Sequence, residues 1–457
     1  MRVGVIGGGA AGLAVGYELV RQGHQVAVFE QAPFLGGQAS TFDVGGTPLE
    51  WGYHHLFMSD WDMVSFMQEL GLGHRLQWLV SRAGLHYGGR NWNWSSPMDL
   101  LRFTPLSPVD RLRLGLVTLY LQRYRRWQRL EGFTATEWLQ RAVGRRAYEV
   151  VWEPLLRGKF GESYAEVSMT WLWGKIYLRV ASRKGLGKER LGYPMGSFGE
   201  VFDTAARFII EGGSEVATSA TVKRVVVEEG RATGLEVELL GQGPQVCPYD
   251  AIVATVPSYI FPRLVPPLLE DYLSRLTSVK YLAAVLVVLE LDRPLSHIYW
   301  LNIADRSIPF VGIVEQTNFI PPEHYGGRHV VYIANYLGKE DPLYHLKAEE
   351  LFQEYLPHLR KINPQFDPSW IQQYHYHREE AAQPVIGVGY SRQIPSHRTP
   401  IKGLYLANTT QVYPEDRGTN YSVRLGRKVA RMVLGDYGHQ VGQPLPRVVV
   451  PASLTAA

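Results

Sequence analysis

The stretch VGVIGGGAAGL, Val3 to Leu13, decides how the chain begins to fold. An apolar run, Val3, Val5 and Ile6, precedes Gly7, Gly9 and Gly12 at G-x-G-x-x-G spacing, and a helical apolar stripe, Leu13, Tyr17 and Val20, follows. This reads as strand, glycine-rich turn and helix. Gly7 permits the tight turn, Gly9 carries no side chain to hold the backbone away from a pyrophosphate, and Gly12 lets the helix lie close on the strand. The helix, about Ala10 to Gln22, has Ala10 and Ala11 in its first turn and aims its N-terminal amides and partial positive charge at phosphates. Gly23 ends it. A strand from Gln25 to Phe29 then delivers Glu30, eighteen residues beyond Gly12 and next to Gln31. A carboxylate there accepts hydrogen bonds from both ribose hydroxyls and repels a 2′-phosphate. A dinucleotide with an unphosphorylated ribose is expected.

A second glycine-paired turn, Gly36, Gly37, Gln38, Ala39 and Ser40, looks like the G-G-x-x-S/T segment of flavoproteins. Five blocks together carry a resemblance: VGVIGGGAAGL, FLGGQAST, EWGYHHLF, VATVPS and GLYLANTTQVYPEDRGTNYSVRLG. The chain resembles the FAD-dependent superfamily of amine oxidases, protoporphyrinogen oxidases and phytoene-type carotenoid desaturases, and more distantly the UDP-galactopyranose mutases. The resemblance implies FAD and an α/β fold: a Rossmann-like FAD-binding domain of the glutathione-reductase type, interrupted by a mixed α+β substrate domain. The expected division gives residues 1–77, 193–257 and 395–438 to FAD. It gives 78–192, largely helical, and 258–394, containing a sheet, to the substrate. The proline-rich stretch 439–457 is expected to be a disordered tail.

At 457 residues the chain is long enough for two or three domains with substantial cores. Lys and Arg number 47 against 43 Asp and Glu, a formal charge of +4, so nothing electrostatic favours a nucleic-acid partner. A single cysteine, Cys247, permits no internal disulfide, offers no cysteine metal cluster and fits a reducing compartment. With the first strand beginning at Arg2 and no uncharged apolar run of the roughly 18 residues a span requires, the expected location is cytoplasmic.

Further positions follow from the resemblance. Gly52 lets backbone approach the flavin ring, with Tyr53 and His54 near it. Val222 would contact adenine through its backbone. Pro257 ends the AIVATVP strand and turn. Asn408 stands where most relatives place an acid, and Gln38 stands where an arginine usually faces the FAD phosphates. Gly418, Thr419, Asn420 and Tyr421 precede a helix, about Ser422 to Leu434, whose amides would face the flavin's N1 and C2 carbonyl. Asp60 is a plausible N-cap for the helix beginning at Trp61.

For acid or base chemistry the candidates are His54 and Lys280. Adjacent histidines such as His54 and His55 also serve as packing groups. No lysine matches the position where amine oxidases hold a water near flavin N5, which argues toward desaturation or an isomerase-like role. His375 and His377 share one face of a strand, but two imidazoles without an acid or cysteine set make a poor metal site, and no metal is expected.

The segment from about Trp78 to Gly192 is rich in aromatics and arginine, including Trp92, Trp94, Trp127, Trp138, Trp152, Trp171 and Trp173. An aromatic cleft there suits an apolar ligand. Within it Val109, Leu112, Leu116, Leu119, Tyr120, Tyr124 and Trp127 recur at helical spacing beside Arg111, Arg113, Arg123, Arg125, Arg126 and Arg129. One reading is a core-packing helix with a solvated basic side. The other is an amphipathic helix over 109–130 that touches an anionic membrane surface, the inner face if the protein is cytoplasmic.

The expected activity is hydride transfer from an apolar polyprenoid, porphyrinogen-like or amine substrate to flavin N5. Two alternatives stay open. One is a non-redox mutase on a nucleotide sugar, with Arg157 and Arg179 available for a diphosphate. The other is a non-catalytic FAD scaffold, for which Gln38 and Asn408 are the motivating departures.

Overall fold

A computed structural model of the chain describes residues 1–181 and 189–437, with side chains left aside at 178–181. The expected tail at 439–457 and the Arg179 side chain lie outside the described residues.

The glycine-rich unit forms as its spacing requires. Strands Arg2–Ile6 and Gln25–Phe29 pair in parallel and are joined by the helix Ala10–Arg21. The parallel sheet continues through Ala251–Ala254 and Leu404–Leu406 on one side and Glu215–Ala217 on the other. The strand after Arg2–Ile6 lies to one side and Ala251–Ala254 to the other, so the direction of winding reverses at the ends of these central strands. In open α/β sheets a crevice for ligands opens there. Thr255, just after the strand Ala251–Ala254, ties the two central strands together, its hydroxyl donating to the carbonyl of Ile6 at 2.8 Å.

Packing explains two of the glycines. A Cβ on Gly12 would lie 1.9 Å from the carbonyl oxygen of Gly7, so only glycine lets this helix start where it does. On the helix's other side, a Cβ on Gly426 would lie 2.3 Å from the Ala11 carbonyl, which is how the C-terminal helix Thr419–Tyr437 comes to rest against the first one. A small antiparallel sheet, Ala220–Glu228, Arg231–Leu239 and Gln245–Pro248, sits beside the ribose acid, because Ala220 N–H donates to the Glu30 carbonyl at 2.9 Å.

A seven-stranded sheet forms the second layer, in the order 371–384, 281–291, 329–337, 312–315, 300–303, 83–87 and 90–93. Its pairings are antiparallel except that of Trp300–Ile303 with Ala83–Tyr87. The two strands from 83–93 were hidden in a segment whose composition reads as helical; the helices Pro97–Arg102, Pro108–Arg123, Ala135–Val143, Glu153–Phe160 and Met169–Ala181 follow them.

Two local expectations are corrected, and the two strand histidines have partners. The Pro108–Arg123 helix buries Leu114 and Leu121, while Val109, Leu112, Leu116, Leu119 and Tyr120 are exposed, Val109 at 73%. Most of its periodic stripe therefore faces away from the core, while Leu114 and Leu121, with Tyr124 and Trp127 at its far end, pack inward. Asp60 occupies the N-cap position but does not cap: its Oδ2 accepts from Phe57 N–H at 2.8 Å and fixes the preceding turn instead. His375 and His377 are both engaged, the first with Glu290 at 2.6 Å and the second stacked on Trp51 at 5.2 Å between ring centres.

Candidate functional site

The two glycine turns meet. Gly36 N–H donates to the Gly8 carbonyl at 3.0 Å, and Gly9 and Gly36 form a parallel bridge. Gly36 and Gly37 adopt φ of +100° and +56°, the left-handed region that a side chain disfavours. Glu30 is tied into this assembly: its carboxylate accepts from Gly8 N–H at 2.8 Å and from Ala32 N–H at 2.9 Å. Those bonds hold the carboxylate at the strand end with further lone pairs available for ribose hydroxyls. Gln31 beside it is exposed. Gly9 has open space, its nearest heavy-atom neighbour for a Cβ being Gly37 Cα at 3.8 Å. A dinucleotide is what would occupy that space, with Ala10, Ala11 and Gly12 offering the free amides of a helix start.

From Gln38 the chain passes into a cleft of about 710 Å3. Gly52, Tyr53, His54 and the run Gly418–Tyr421 line it together with Trp94, Trp152 and Trp171, so three of the seven expected tryptophans reach it. Leu114, Leu155, Leu156, Leu172, Ile176 and Leu286 make much of the remaining wall apolar. Burial drives the His54 imidazole down to about 4, so it is neutral at physiological pH. Its Nδ1 lies 2.5 Å from the Gly52 carbonyl and therefore carries the proton, which leaves Nε2 as an acceptor.

At the start of the C-terminal helix a charged cluster is packed into this largely apolar cleft. Asp416 accepts from Lys175 at 2.6 Å, from Trp171 Nε1 at 3.0 Å and from Gln383 Nε2 at 3.3 Å. Lys175, Lys159 and Arg417 overcome the burial that would raise its pKa and hold the carboxyl well below the usual range. Arg417 Nη2 and Lys159 Nζ each lie 3.2 Å from Tyr336 Oη. Arg417 Nε, Asn420 Nδ2 and Asp60 Oδ1 are buried without partners. Two orphaned donors and one acceptor beside a helix N-terminus are what the polar edge of a flavin would satisfy, so the residues present fit FAD.

Several expected positions are placed differently. Lys280 is 62% exposed and pairs with Glu166 at 3.1 Å, so it has no part in the cleft. The lysines that line the cleft are Lys159 and Lys175; Lys159 lies in the segment EPLLRGKFG, whose helical spacing gave no sign of which side chain would turn inward. Gln38 does not reach toward phosphates; its amide donates to the Ala381 carbonyl at 2.8 Å and ties the second glycine turn to the sheet. The Asn408 side chain is committed within the protein, donating to Val256 O and Ser258 Oγ and accepting from Thr410 N–H and Oγ1. It braces the turn after the last strand rather than presenting a free amide. Pro257 shapes the turn after the Ala251–Ala254 strand, its carbonyl accepting from Ile260 and Phe261 N–H. Val222 lies in the small sheet, and Ala39 and Ser40 are buried in the second glycine turn. Arg157, a candidate for a diphosphate, is held by Glu153, Glu162 and Tyr164.

Residues 10–434 match the model of the flavin containing amine oxidoreductase family, nearly the whole described chain. The chain belongs to that family. As in other flavin containing amine oxidoreductases, its dinucleotide is FAD. Among curated relatives, the zeta-carotene desaturase of Synechocystis is 35% identical over 78 residues, 17% of this chain and 16% of that protein. The mitochondrial protoporphyrinogen oxidase of Nicotiana tabacum is 25% identical over 254 residues, 52% of this chain and 50% of that protein. The chain thus matches half or less of the length of these two relatives. An oxidoreductase from Methanosarcina mazei shares the fold, with a TM-score of 0.74 at 18% identity over 94% of this chain and 100% of that one. Among the described residues no helix is long and apolar enough to cross a membrane.

Proposed function

We propose that the protein is an FAD-dependent oxidoreductase that dehydrogenates an apolar substrate, polyprenoid or porphyrinogen-like in preference to a small amine. The observation that carries this is the wall of the cleft. Tryptophan, leucine and isoleucine supply most of it, and an apolar ligand gains roughly 0.8 kcal/mol for each buried CH2 without needing a directional partner. A small amine would use little of that surface. We assign residues 1–77, 193–257 and 395–438 to holding FAD and 78–192 and 258–394 to enclosing the substrate. Bound FAD supplies the two-electron acceptor, taking a hydride at N5. The chain's own residues position the substrate and exclude water. In the holoprotein, anaerobic bleaching of the flavin is expected with zeta-carotene or protoporphyrinogen and not with putrescine or UDP-galactopyranose. Bleaching by putrescine alone, or tight UDP binding with no bleaching, would replace this reading.

The substrate also has a route of entry in this reading. Leu119 lines the cleft and is 47% exposed, at the edge of the outward stripe that Val109, Leu112, Leu116 and Tyr120 continue. Met98 and Leu101 on the neighbouring helix add to the same exposed surface. Arg123, Arg125, Arg126 and Arg129 are exposed beside it, and the acids of these two helices, Asp99 and Asp110, are spent on helix caps. An apolar strip with an unbalanced cationic rim suits the headgroups of an anionic bilayer. The protein is expected to sediment with phosphatidylglycerol vesicles and not with phosphatidylcholine ones. L112D/L116D should weaken that association about tenfold or more. Self-association through this surface with no vesicle binding would assign it to a second copy of the chain.

A further inference from the structure

Tyr336 meets two cations that line the cleft, Lys159 and Arg417. It lies opposite Ala284 in the sheet, and Glu379 lies opposite Ala284 on the other side, so the three form one row on one face of the sheet, lining the cleft. The Tyr336 oxygen has Lys159 Nζ, Arg417 Nη2 and Tyr53 Oη around it, each at 3.2 Å. Lys159 Nζ also sits 4.3 Å from the centre of the Tyr336 ring.

Charged neighbours from each packed element decide which state of the phenol is favoured. Lys159 comes from the Glu153–Phe160 helix, Arg417 and Asp416 from the turn before the C-terminal helix, Lys175 from the Met169–Ala181 helix and Glu379 from the adjoining strand. Asp416 is taken up by Lys175. Glu379 accepts from Ala381 N–H at 3.1 Å, and its burial favours the neutral acid. Lys159 and Arg417 thus face the phenol with no carboxylate bonded to it. Burial works against an anion here, but these two cations prevail and bring the Tyr336 hydroxyl down to about 7.

We propose that Tyr336 is the proton acceptor for a substrate held in the cleft, with Lys159 and Arg417 stabilising its negative oxygen and Tyr53 orienting it. This rests on the oxidoreductase reading. The bond that breaks is a substrate C–H or N–H. Its proton goes to the Tyr336 oxygen, and its electron pair stays on the substrate as the new double bond; the neighbouring hydrogen would leave as hydride to the two-electron acceptor that bound FAD would supply. Arg417 keeps its proton throughout, while burial lowers the pKa of Lys159 and the negative Tyr336 oxygen opposes that shift. The proton on Tyr336 leaves to solvent before the next turnover.

Ionisation is tested without any substrate. In the FAD-loaded protein carrying 13Cζ-labelled tyrosine, one resonance is expected to titrate near pH 7, to vanish in Y336F, and to move up by about one to three pH units in K159M. No tyrosine titrating below about pH 9, or the same titration persisting in Y336F, overturns the proposal. Its role is tested by flavin reduction with zeta-carotene or protoporphyrinogen, whichever bleaches the wild type. Reduction should quicken as pH rises through about 7, and Y336F should be slower by about 10^2-fold or more and lose that dependence. Equal rates and equal pH profiles in wild type and Y336F overturn the proposal and leave the oxidoreductase reading intact. Failure of both compounds to bleach the wild type defeats the oxidoreductase reading and with it the proton-acceptor role, whatever the titration shows.

Discussion

Gly12→Ala is expected to yield a protein without bound FAD and less stable by about 1–3 kcal/mol. The added methyl would lie 1.9 Å from the Gly7 carbonyl oxygen, which is backbone and cannot rotate away. The helix must therefore slide or tilt, and its free amides leave the place where the pyrophosphate is held. Gly9→Ala is the matched control. Its Cβ meets nothing nearer than 3.8 Å, and Gly9 has φ of −78°, which alanine adopts freely. That variant should keep its stability to within about 0.5 kcal/mol and lose affinity for FAD only. Urea unfolding of the apoproteins and the flavin absorbance per chain separate the two effects. Equal stability losses in both variants would show that Gly12 has no special role in packing.

Asp416→Asn is expected to cost about 2–3 kcal/mol and to release FAD on dilution. The amide keeps the shape and its contacts with Trp171 and Gln383, but it leaves Lys175, Lys159 and Arg417 without the buried counter-charge they share. Breaking a fully buried pair costs more, about 3–5 kcal/mol; Lys175 is 37% exposed, so water recovers part of it. The sign with pH follows from the depressed pKa. Asp416 contributes its full stability above the ordinary aspartate value of about 3.9 and loses it as pH falls below that toward its folded value. The gap between wild type and variant, measured by urea unfolding, should therefore be widest near neutrality and close in strong acid. A gap that stays constant with pH would show that the carboxylate acts through shape alone.

The parts of this protein that could be read from its sequence are those set by local rules. Gly7, Gly9 and Gly12 are spaced by the needs of one turn, and Glu30 follows at the distance one crossover dictates, so the cofactor fold is legible within thirty residues. Periodicity in the basic helix showed which residues share a face but not which way the face points. Leu114 and Leu121, off the expected stripe, turned out to be the inward pair, because neighbouring helices settled the orientation. The lysine beside Tyr336 was missed for a similar reason. Lys159 and Tyr336 are 177 positions apart, and only the folding of a helix against the large sheet brings them together. Lys280 looked equally suitable in sequence, yet it emerges beside Glu166 on the surface. The partners of Asn408, namely Val256, Ser258 and Thr410, come from two separate turns, so its bracing role was not legible in the sequence.

We propose that one FAD lies along the line from the first glycine turn, past Gly36 and Gln38, to the start of the C-terminal helix. Flavin content measures it directly. The purified chain, incubated with excess FAD and freed of unbound cofactor, should be yellow and release one FAD per chain on denaturation, whereas Gly12→Ala should release none. A chain that stays colourless after that incubation would contradict the account.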